Sequence, residues 1–334
     1  MIDGIYTLAN DAVYDQLVAL LNSIEANAGA DFPVCVIAYD DRLDKVKAEI
    51  ANRKNVSLMN DPAIFAPWEA FSTQVWKTHP FAMQQWQEQG IDGVYRIHCN
   101  HRYAAFDPAA PFDRFIYLDA DTLLLDSPAI FFNALDDADF VTYDFQHKDP
   151  AHIFNLDSPK LLDVFNASRI TSDIFCSGCF ASKRGMFEPE RRAWLVERLA
   201  EGEAEVLYLN APNQSVLNYM TLRSSVSIHN LALHLPEGVR AGNSVTSRHF
   251  EERNHVLYDK NARLTYLHYI GVSSTLFTRL CAGENLDLPY RDIFLHYRYL
   301  HTPEARPQFT GKPIPYNQPP SLTTRVLKKI GLKS

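Results

Sequence analysis

Apolar residues in the first sixty positions occur in blocks that alternate between strand and helix periodicity. Residues 4–9 form a short apolar run, and in residues 13–24 the apolar positions recur at helical spacing. A second apolar run at 33–39 precedes a helical pattern at 43–52 and a short strand pattern at 56–59. Strands that are apolar on both faces are typical of parallel sheets covered by helices. The pattern predicts an α/β fold with a mostly parallel, Rossmann-like central sheet.

The same alternation continues through the middle of the chain. Residues 78–89 predict another helix, with Trp76 and Lys77 placed just before it. The strongest strand signal is 115–118, and weaker ones follow at 140–143 and around Phe180. No internal repeat is visible, so the pattern predicts one α/β domain.

The character of the chain changes near residue 300. We predict a domain over 1–300 and a proline-rich, extended segment over 301–334, because closely spaced prolines prevent helices and central strands. In residues 322–334 apolar and basic residues share a helical pattern. This terminus is predicted either to contact an anionic membrane surface or to form a solvated or subunit-docking helix.

Composition narrows the class of protein. Hydrophobic residues make up 46% of the 334 positions, which is enough for a buried core. The formal net charge of -8, without a basic surface region, argues against nucleic acid as a partner. The five cysteines are widely spaced, and Cys176 and Cys179 lie in an apolar run without a second pair, so we expect reduced thiols. We also expect a cytoplasmic protein, at most peripheral to the inner face of a membrane.

An acidic pair directly follows the strongest strand. Side chains at positions i and i+2 of an extended segment point to the same side, so Asp119 and Asp121 can bind one hard divalent cation, and such a cation could bridge to a diphosphate. Ligands of open α/β sheets collect at the carboxyl ends of the strands, where this pair falls. The same spacing recurs at 137–139, but in a polar turn without a preceding apolar strand. The sequence context therefore favours Asp119 and Asp121.

Six segments then occur in a characteristic order: residues 6–11, Arg102, 115–125, 175–178, 213–218 and 268–271. Over residues 1 to about 280 they resemble GT-A glycosyltransferases, most nearly the glycogenin and bacterial galactosyltransferase family known as glycosyltransferase family 8. The resemblance implies a GT-A fold and a metal-dependent transfer of a sugar from a nucleotide-sugar donor. It also implies that the donor is UDP-linked and that the acceptor is a saccharide, a lipid-linked glycan or a protein.

The resemblance assigns roles to individual residues. It implies that Mn²⁺ or Mg²⁺ is held by Asp119, Asp121 and His268, although a histidine between two apolar residues is more often simply buried. The implied catalytic candidates are Asn213, Gln214, which would orient the sugar or acceptor, and Asp144, whose alternative role is to cap a turn. The implied donor-binding residues are Thr7, Ala9, Asn10, Asp11, Tyr14, Arg102, Ala120, Cys176, Ser177, Gly178 and Gly271.

Three positions depart from the family pattern. Cys176 replaces an asparagine, Asn213 an aspartate and Ser274 a lysine. An amide at 213 cannot act as a carboxylate nucleophile, which disfavours a covalent intermediate and favours a front-face retaining substitution. The departures also leave open a protein that binds a sugar nucleotide or glycan without turnover. A nucleotidyltransferase is disfavoured because residues 9–12 are not a glycine-rich phosphate loop.

One aromatic group has two interpretations. The segment 290–299 contains four aromatic residues at a spacing that suits either a carbohydrate-stacking wall or a hydrophobic core. We favour the core, because aromatic residues at such spacing are most often buried.

Overall fold

The computed structural model describes residues 1–317. The predicted basic segment 322–334 lies outside the described residues. Within them the chain forms fourteen strands: β1 (Asp3–Ala9), β2 (Val34–Ala38), β3 (Val56–Met59), β4 (Arg114–Leu118), β5 (Thr122–Leu124), β6 (Phe140–Thr142), β7 (Cys179–Lys183), β8 (Ile228–Asn230), β9 (Glu251–Arg253), β10 (Val256–Asp259), β11 (Ala262–Arg263), β12 (Tyr266–His268), β13 (Leu286–Asp287) and β14 (Ile314–Pro315).

The helices alternate with these strands in the amino-terminal half. The α-helices of residues 1–317 are α1 (Tyr14–Ala28), α2 (Asp44–Ala51), α3 (Pro62–Thr78), α4 (Ala82–Glu88), α5 (Ala129–Ala134), α6 (Leu161–Val164), α7 (Ala167–Ser172), α8 (Pro189–Ala200), α9 (Pro212–Arg223), α10 (Leu231–His234), α11 (Ser274–Cys281) and α12 (Arg291–Arg298). Short 3₁₀ segments lie at Asp11–Val13, Ile97–Phe106, Gln146–Lys148, Pro150–His152, Glu203–Val206 and Pro303–Ala305. None of the helices in this part of the chain is both long and apolar enough to cross a membrane.

Seven strands form the central sheet in the order β3-β2-β1-β4-β7-β6-β8. The pairs β3–β2, β2–β1, β1–β4 and β6–β8 are parallel, and only β7 runs antiparallel to its neighbours. The predicted α/β fold with a mostly parallel sheet is confirmed. Parallel strands end at the same edge, so β1 and β4 bring the loops that follow Ala9 and Leu118 together.

Two hydrophobic clusters hold this architecture. The larger one surrounds the central sheet, where Phe115, Tyr117 and Phe180 are almost completely buried and the Phe180 ring contacts the other two. The smaller cluster joins α1 to β5, β12, α11 and α12. It contains the aromatic residues of α12 and its flanks, among them Phe294 and Tyr297, so the predicted core role of the segment 290–299 is confirmed.

The sequence interpretation was wrong around residues 62–89. The structure forms α3 there, and Trp76 and Lys77 lie in its last turn instead of preceding a helix; the predicted helix 78–89 is the shorter α4. The Asp61 side chain accepts a hydrogen bond from the backbone of Ala63, and a proline opens the helix. A second proline inside α3 obscured the helical spacing of its apolar residues. Burial of aromatic residues such as Trp76 nevertheless stabilises the helix.

The proline-rich segment is extended where the structure describes it. Residues 302–317 contain one 3₁₀ turn and the two-residue strand β14, which pairs with β13. Tyr316 packs against the smaller hydrophobic cluster.

Candidate functional site

Chain topology brings Asp119, Asp121 and His268 together. Asp119 directly follows β4, and its carbonyl oxygen accepts hydrogen bonds from the backbone and hydroxyl of Thr122, which turns the chain into β5. Strand β12 pairs with β5 in a register that places His268 opposite Thr122. In addition, the Tyr269 amide donates to the carbonyl of Asp121. Two residues separated by one position and a third almost 150 positions later therefore meet at the carboxyl edge of the sheet.

The three side chains can bind one metal ion. One ligand atom from each lies within 4.8 Å of the others, and His268 Nε2 is 3.3 Å from Asp121 Oδ1. Two carboxylates and an imidazole form a donor set that suits Mn²⁺, and with added water ligands Mg²⁺. Gly178 makes this packing possible, because a Cβ there would overlap His268 Cε1 and lie 3.0 Å from Asp119 Oδ2.

Asp119 is oriented by two buried partners. The Tyr117 hydroxyl donates to its Oδ1 at 2.7 Å, and an Arg102 guanidinium nitrogen lies 3.2 Å from the same oxygen. Arg102 stacks over the Tyr117 ring and also donates to the carbonyl oxygens of Cys99 and Ser177. Burial alone would lower the pKa of Arg102, but the Asp119 carboxylate raises it above its ordinary value. The guanidinium is thus a fixed positive charge behind the acidic pair.

The Asp121–His268 pair favours charge separation. Burial alone would raise the pKa of Asp121, whereas the adjacent imidazole lowers it. Burial likewise opposes a charged His268, but Asp121 raises the pKa of this ring well above its usual range. A metal ion can take the place of the proton that His268 Nε2 would otherwise share with the carboxylate.

The segment 175–178 forms one wall of the site and is held mainly through its backbone. Asp144 Oδ2 accepts from the amide of Cys176 at 2.5 Å, and Gln214 Oε1 accepts from the amide of Ser177 at 3.1 Å. Asn218 bonds to both the amide and the carbonyl of Phe175. The predicted catalytic candidates Asp144 and Gln214 therefore position this wall. Gln214 also donates to the carbonyl of His152, joining the wall to a second loop.

The side chains of Asn213 and Asp144 face inward. The side-chain amide of Asn213 donates to the Ser177 hydroxyl at 3.4 Å, and the backbone carbonyl of Asn213 accepts from the Tyr103 hydroxyl. Asp144 is 5% exposed, and its burial raises the pKa of the carboxyl to about 7 although backbone amides of Gln146 and Cys176 donate to it.

A cleft opens beside the three-residue cluster. Its volume is about 600 Å³, the size of a pocket that holds a small organic ligand. Its floor includes His268, Cys176 and Asp144. Its rim includes Lys148, His152, Ser244 and Ile270. Gly271, just beyond Ile270, has φ 77°, so the turn after His268 requires a left-handed residue.

The predicted nucleoside-binding side chains after β1 have partners within the protein. Asn10 accepts from the amide of Ala12 and donates to Asp40, and Asp11 accepts from two backbone amides at the start of α2. Thr7 and Ala9 are buried, while the half-buried Tyr14 donates to Glu49. Ala120, between the two aspartates, is 6% exposed. Ala9, Asn10 and Asp11 end β1 or directly follow it, at the same sheet edge as Asp119, and the donor-binding roles of all these residues stay predictions.

Sequence reasoning missed several residues that shape the site. Tyr117 orients Asp119 but resembles any other apolar strand residue in the sequence. Asn243, whose amide donates to the backbone of Tyr143 and to the Tyr266 hydroxyl, supports the strand that carries His268. A polar residue in a loop of irregular composition gives no sequence signal for such a role. Ser274, the departure at the family's lysine position, begins α11.

Known proteins resemble this chain in fold and not in sequence. No protein-family model matches the chain, and no curated protein sequence matches it either. Among solved structures, a galactosyltransferase, LgtC, in complex with donor and acceptor sugar analogues is similar over 90% of this chain and 96% of that chain, with a TM-score of 0.53 and 16% identity. Mouse xyloside xylosyltransferase 1 in its apo form is similar over 69% of this chain and 85% of that chain, with a TM-score of 0.45 and 12% identity. The first of these likenesses shows that the chain has the fold of a GT-A glycosyltransferase.

Proposed function

We propose that the chain is a metal-dependent glycosyltransferase that moves a sugar from a UDP-linked donor to a glycan, lipid-linked or protein acceptor. The observation that carries this proposal is the convergence of Asp119, Asp121 and His268 at the carboxyl edge of a GT-A sheet. In support, the structurally similar LgtC was solved with donor and acceptor sugar analogues. We assign the activity to residues 1–300 and treat 301–334 as an appended segment, whose basic terminus at 322–334 either contacts an anionic membrane surface or forms a solvated or subunit-docking helix.

A divalent cation fits the candidate site. Asp119, Asp121 and His268 would hold Mn²⁺ or Mg²⁺, and the open cleft beside them leaves positions for the diphosphate oxygens of the donor. A bound ion would neutralise the negative charge that develops on the departing nucleoside diphosphate.

The residues around the cluster then bind and orient the reactants. Arg102 holds Asp119 in its ligand position and adds positive potential toward the phosphates. The segment 175–178, fixed by Asp144 and Gln214, presents its backbone and the Cys176 side chain to the donor sugar. The same cleft extends past Lys148 and His152, and this part of it would receive the acceptor.

Position 213 bears on the proposed stereochemical outcome. Asn213 is buried and its side chain contacts Ser177, so it offers neither a carboxylate nor an open approach to a sugar carbon. We therefore favour front-face transfer with retention, in which positioning of donor and acceptor replaces a covalent intermediate. Asp144 and Gln214 act on this step by fixing the donor wall.

The test combines donor binding with turnover. Thermal unfolding is followed with UDP-, GDP- and ADP-sugars, each with and without Mn²⁺, and release of nucleoside diphosphate is then measured for any donor that stabilises the protein. Asp119→Asn and Asp121→Asn keep the side-chain size and remove the charge. Each is expected to lower metal-dependent release by roughly 100-fold or more, the scale of removing one group that stabilises developing charge.

The chain supplies its own control. Asp137 and Asp139 repeat the Asp-x-Asp spacing but are exposed, and Asp139 bonds to Ser227 instead of facing the cluster. The double variant Asp137→Asn, Asp139→Asn should keep wild-type release. Undiminished release in both single variants at 119 and 121 would refute the proposal. UDP binding without turnover of any UDP-sugar would favour a non-catalytic binding protein instead.

A further inference from the structure

Two histidines and a glutamate converge outside the candidate active site. His98 and His101 lie three residues apart in the 3₁₀ segment Ile97–Phe106, where residues at i and i+3 stand on the same side. Glu69 reaches them from the middle of α3. One ligand atom of each lies within 4.8 Å of the others, and His101 is buried whereas the other two are half-buried.

Both ring nitrogens of His101 lie against oxygen atoms of the protein. Its Nδ1 lies 2.7 Å from the carbonyl oxygen of Ala38, and its Nε2 lies 2.6 Å from Glu69 Oε1. Ala38 O is an acceptor, so a neutral imidazole that donates to it from Nδ1 presents the lone pair of Nε2 toward Glu69. A cation bound by Nε2 and the carboxylate would satisfy both groups, as would a proton shared between them. A backbone carbonyl that accepts from the other ring nitrogen is the usual support of a metal-bound histidine.

We propose that Glu69, His98 and His101 form a second metal site, selective for Zn²⁺ or a similar imidazole-preferring ion. Two imidazoles and one carboxylate match a known class of zinc site with three protein ligands. A tetrahedral ion with bonds of about 2.0–2.1 Å needs ligand atoms about 3.4 Å apart, so the Glu69 carboxylate has to move outward by somewhat less than 1 Å. Glu69 is 38% exposed and on a flexible side chain, so this movement costs little.

Packing and space around the cluster agree with this assignment. The His101 ring stacks on Phe65 with a centroid separation of 4.1 Å, which fixes the plane in which Nε2 points. A cavity of about 270 Å³ is bounded by Glu69, His101, Asp40 and Asp41 and leaves room for a fourth ligand such as water. Lys47 also lines this cavity and Arg42 pairs with Asp40, so basic side chains offset the acidic ones on its wall.

The second site differs from the first in chemistry and in consequence. It offers mainly nitrogen ligands, whereas Asp119, Asp121 and His268 offer mainly oxygen, so manganese and magnesium are expected to favour the latter. His101 adjoins Arg102 in the chain, and Arg102 contacts Asp119. An ion at Glu69, His98 and His101 would therefore tie α3 to the segment that positions Arg102. This inference does not depend on the proposed transferase activity.

The test uses full-length protein in which Asp119→Asn and Asp121→Asn have removed the first site. After chelation and dialysis, Co²⁺ and Zn²⁺ are titrated, with visible absorption of bound Co²⁺ and calorimetry of Zn²⁺ as readouts. We expect one ion per chain, absorption of the tetrahedral type for Co²⁺, and a Zn²⁺-dependent rise in the unfolding temperature. Mn²⁺ should produce neither effect.

Matched variants identify the ligands. Because His101 is buried, the diagnostic changes are His98→Gln and Glu69→Gln at half-buried positions, and each should weaken Zn²⁺ binding by roughly 10–100-fold. His301→Gln is the control, since His301 pairs with Glu25 at 3.1 Å but belongs to no three-ligand cluster among residues 1–317. Absence of stoichiometric binding, or equal affinity in all three variants, would overturn the proposal. The cluster would then be a hydrogen-bonded ion pair only.

Discussion

Gly178 is the position at which one added methyl group tests the geometry of the candidate metal centre most directly. Its backbone has no positive φ, so alanine is compatible with the local conformation. The only obstacle is space, because the new Cβ would overlap His268 Cε1 and lie 3.0 Å from Asp119 Oδ2 and 3.1 Å from His268 Nδ1. Two of the three proposed ligands must therefore move if Gly178→Ala is made.

The size of this effect follows from contact distances. Restoring an ordinary carbon–carbon separation of at least 3.4 Å displaces the imidazole by about 1 Å, beyond the roughly 0.5 Å that functional geometries tolerate. We expect Mn²⁺ affinity to fall roughly 10–100-fold and donor turnover roughly 100-fold. Overpacking of the buried wall should lower the free energy of unfolding by about 1–3 kcal/mol.

The assay separates loss of the metal from loss of the fold. Bound Mn²⁺ is measured by the disappearance of the free-ion electron paramagnetic resonance signal, and unfolding by denaturant titration. Gly238→Ala is the matched control, because a Cβ there meets no atom within 4 Å and φ is not positive. Wild-type Mn²⁺ affinity in Gly178→Ala would refute the reasoning. It would show either that His268 moves freely or that the ion is held elsewhere.

Two further predictions concern buried charge. Arg102→Lys keeps a positive charge but cannot bond at once to Asp119 and to the carbonyls of Cys99 and Ser177, so the free energy of unfolding should fall by roughly 2–4 kcal/mol; a fall below about 1 kcal/mol would argue against the buried network. For Asp144 the folded-state pKa of about 7 exceeds the ordinary 3.8 of an unfolded chain, so its contribution to stability is fully present below about pH 4 and is lost as pH rises through 7. In metal-free protein, Asp144→Asn should therefore remove a decline of up to roughly 4 kcal/mol between these limits, and identical pH slopes of unfolding free energy for both proteins would contradict the assignment.

Much of the fold could be predicted because its signals are local. Strand β3 occupies the predicted residues 56–59, β2 is one residue shorter than its predicted range at each end, and β4 begins one residue earlier than predicted. Helix α3 was missed for an equally local reason, since a proline inside a helix normally interrupts it. Its stability comes from burial of aromatic side chains against the 3₁₀ segment, which is a tertiary effect.

The residues of the candidate site also fall into two groups, those that local sequence identifies and those that only tertiary pairing places. Asp119 and Asp121 could be identified from an acidic pair after a strong strand. Placement of His268 beside them depends on the β5–β12 register, a pairing of segments more than 140 residues apart that no local pattern contains. The sequence order of motifs located His268 only through resemblance to a family. The His98 and His101 pair carried an i, i+3 signal, but its meaning required knowledge that the segment is a 3₁₀ helix.

The departures from the family pattern become understandable from how the wall beside the metal centre is built. Cys176 is held through its amide by Asp144, and Asn213 supports Tyr103 through its carbonyl oxygen. Both contacts use the backbone, which is the same whatever side chain the residue carries. The framework therefore tolerates a thiol at 176 and an amide at 213 without losing the arrangement of Asp119, Asp121 and His268. In the proposed transferase the Cys176 side chain, which lines the cleft, bears on which sugar or acceptor fits. Gly178 and Arg102 are instead constrained by direct contact with the proposed ligands.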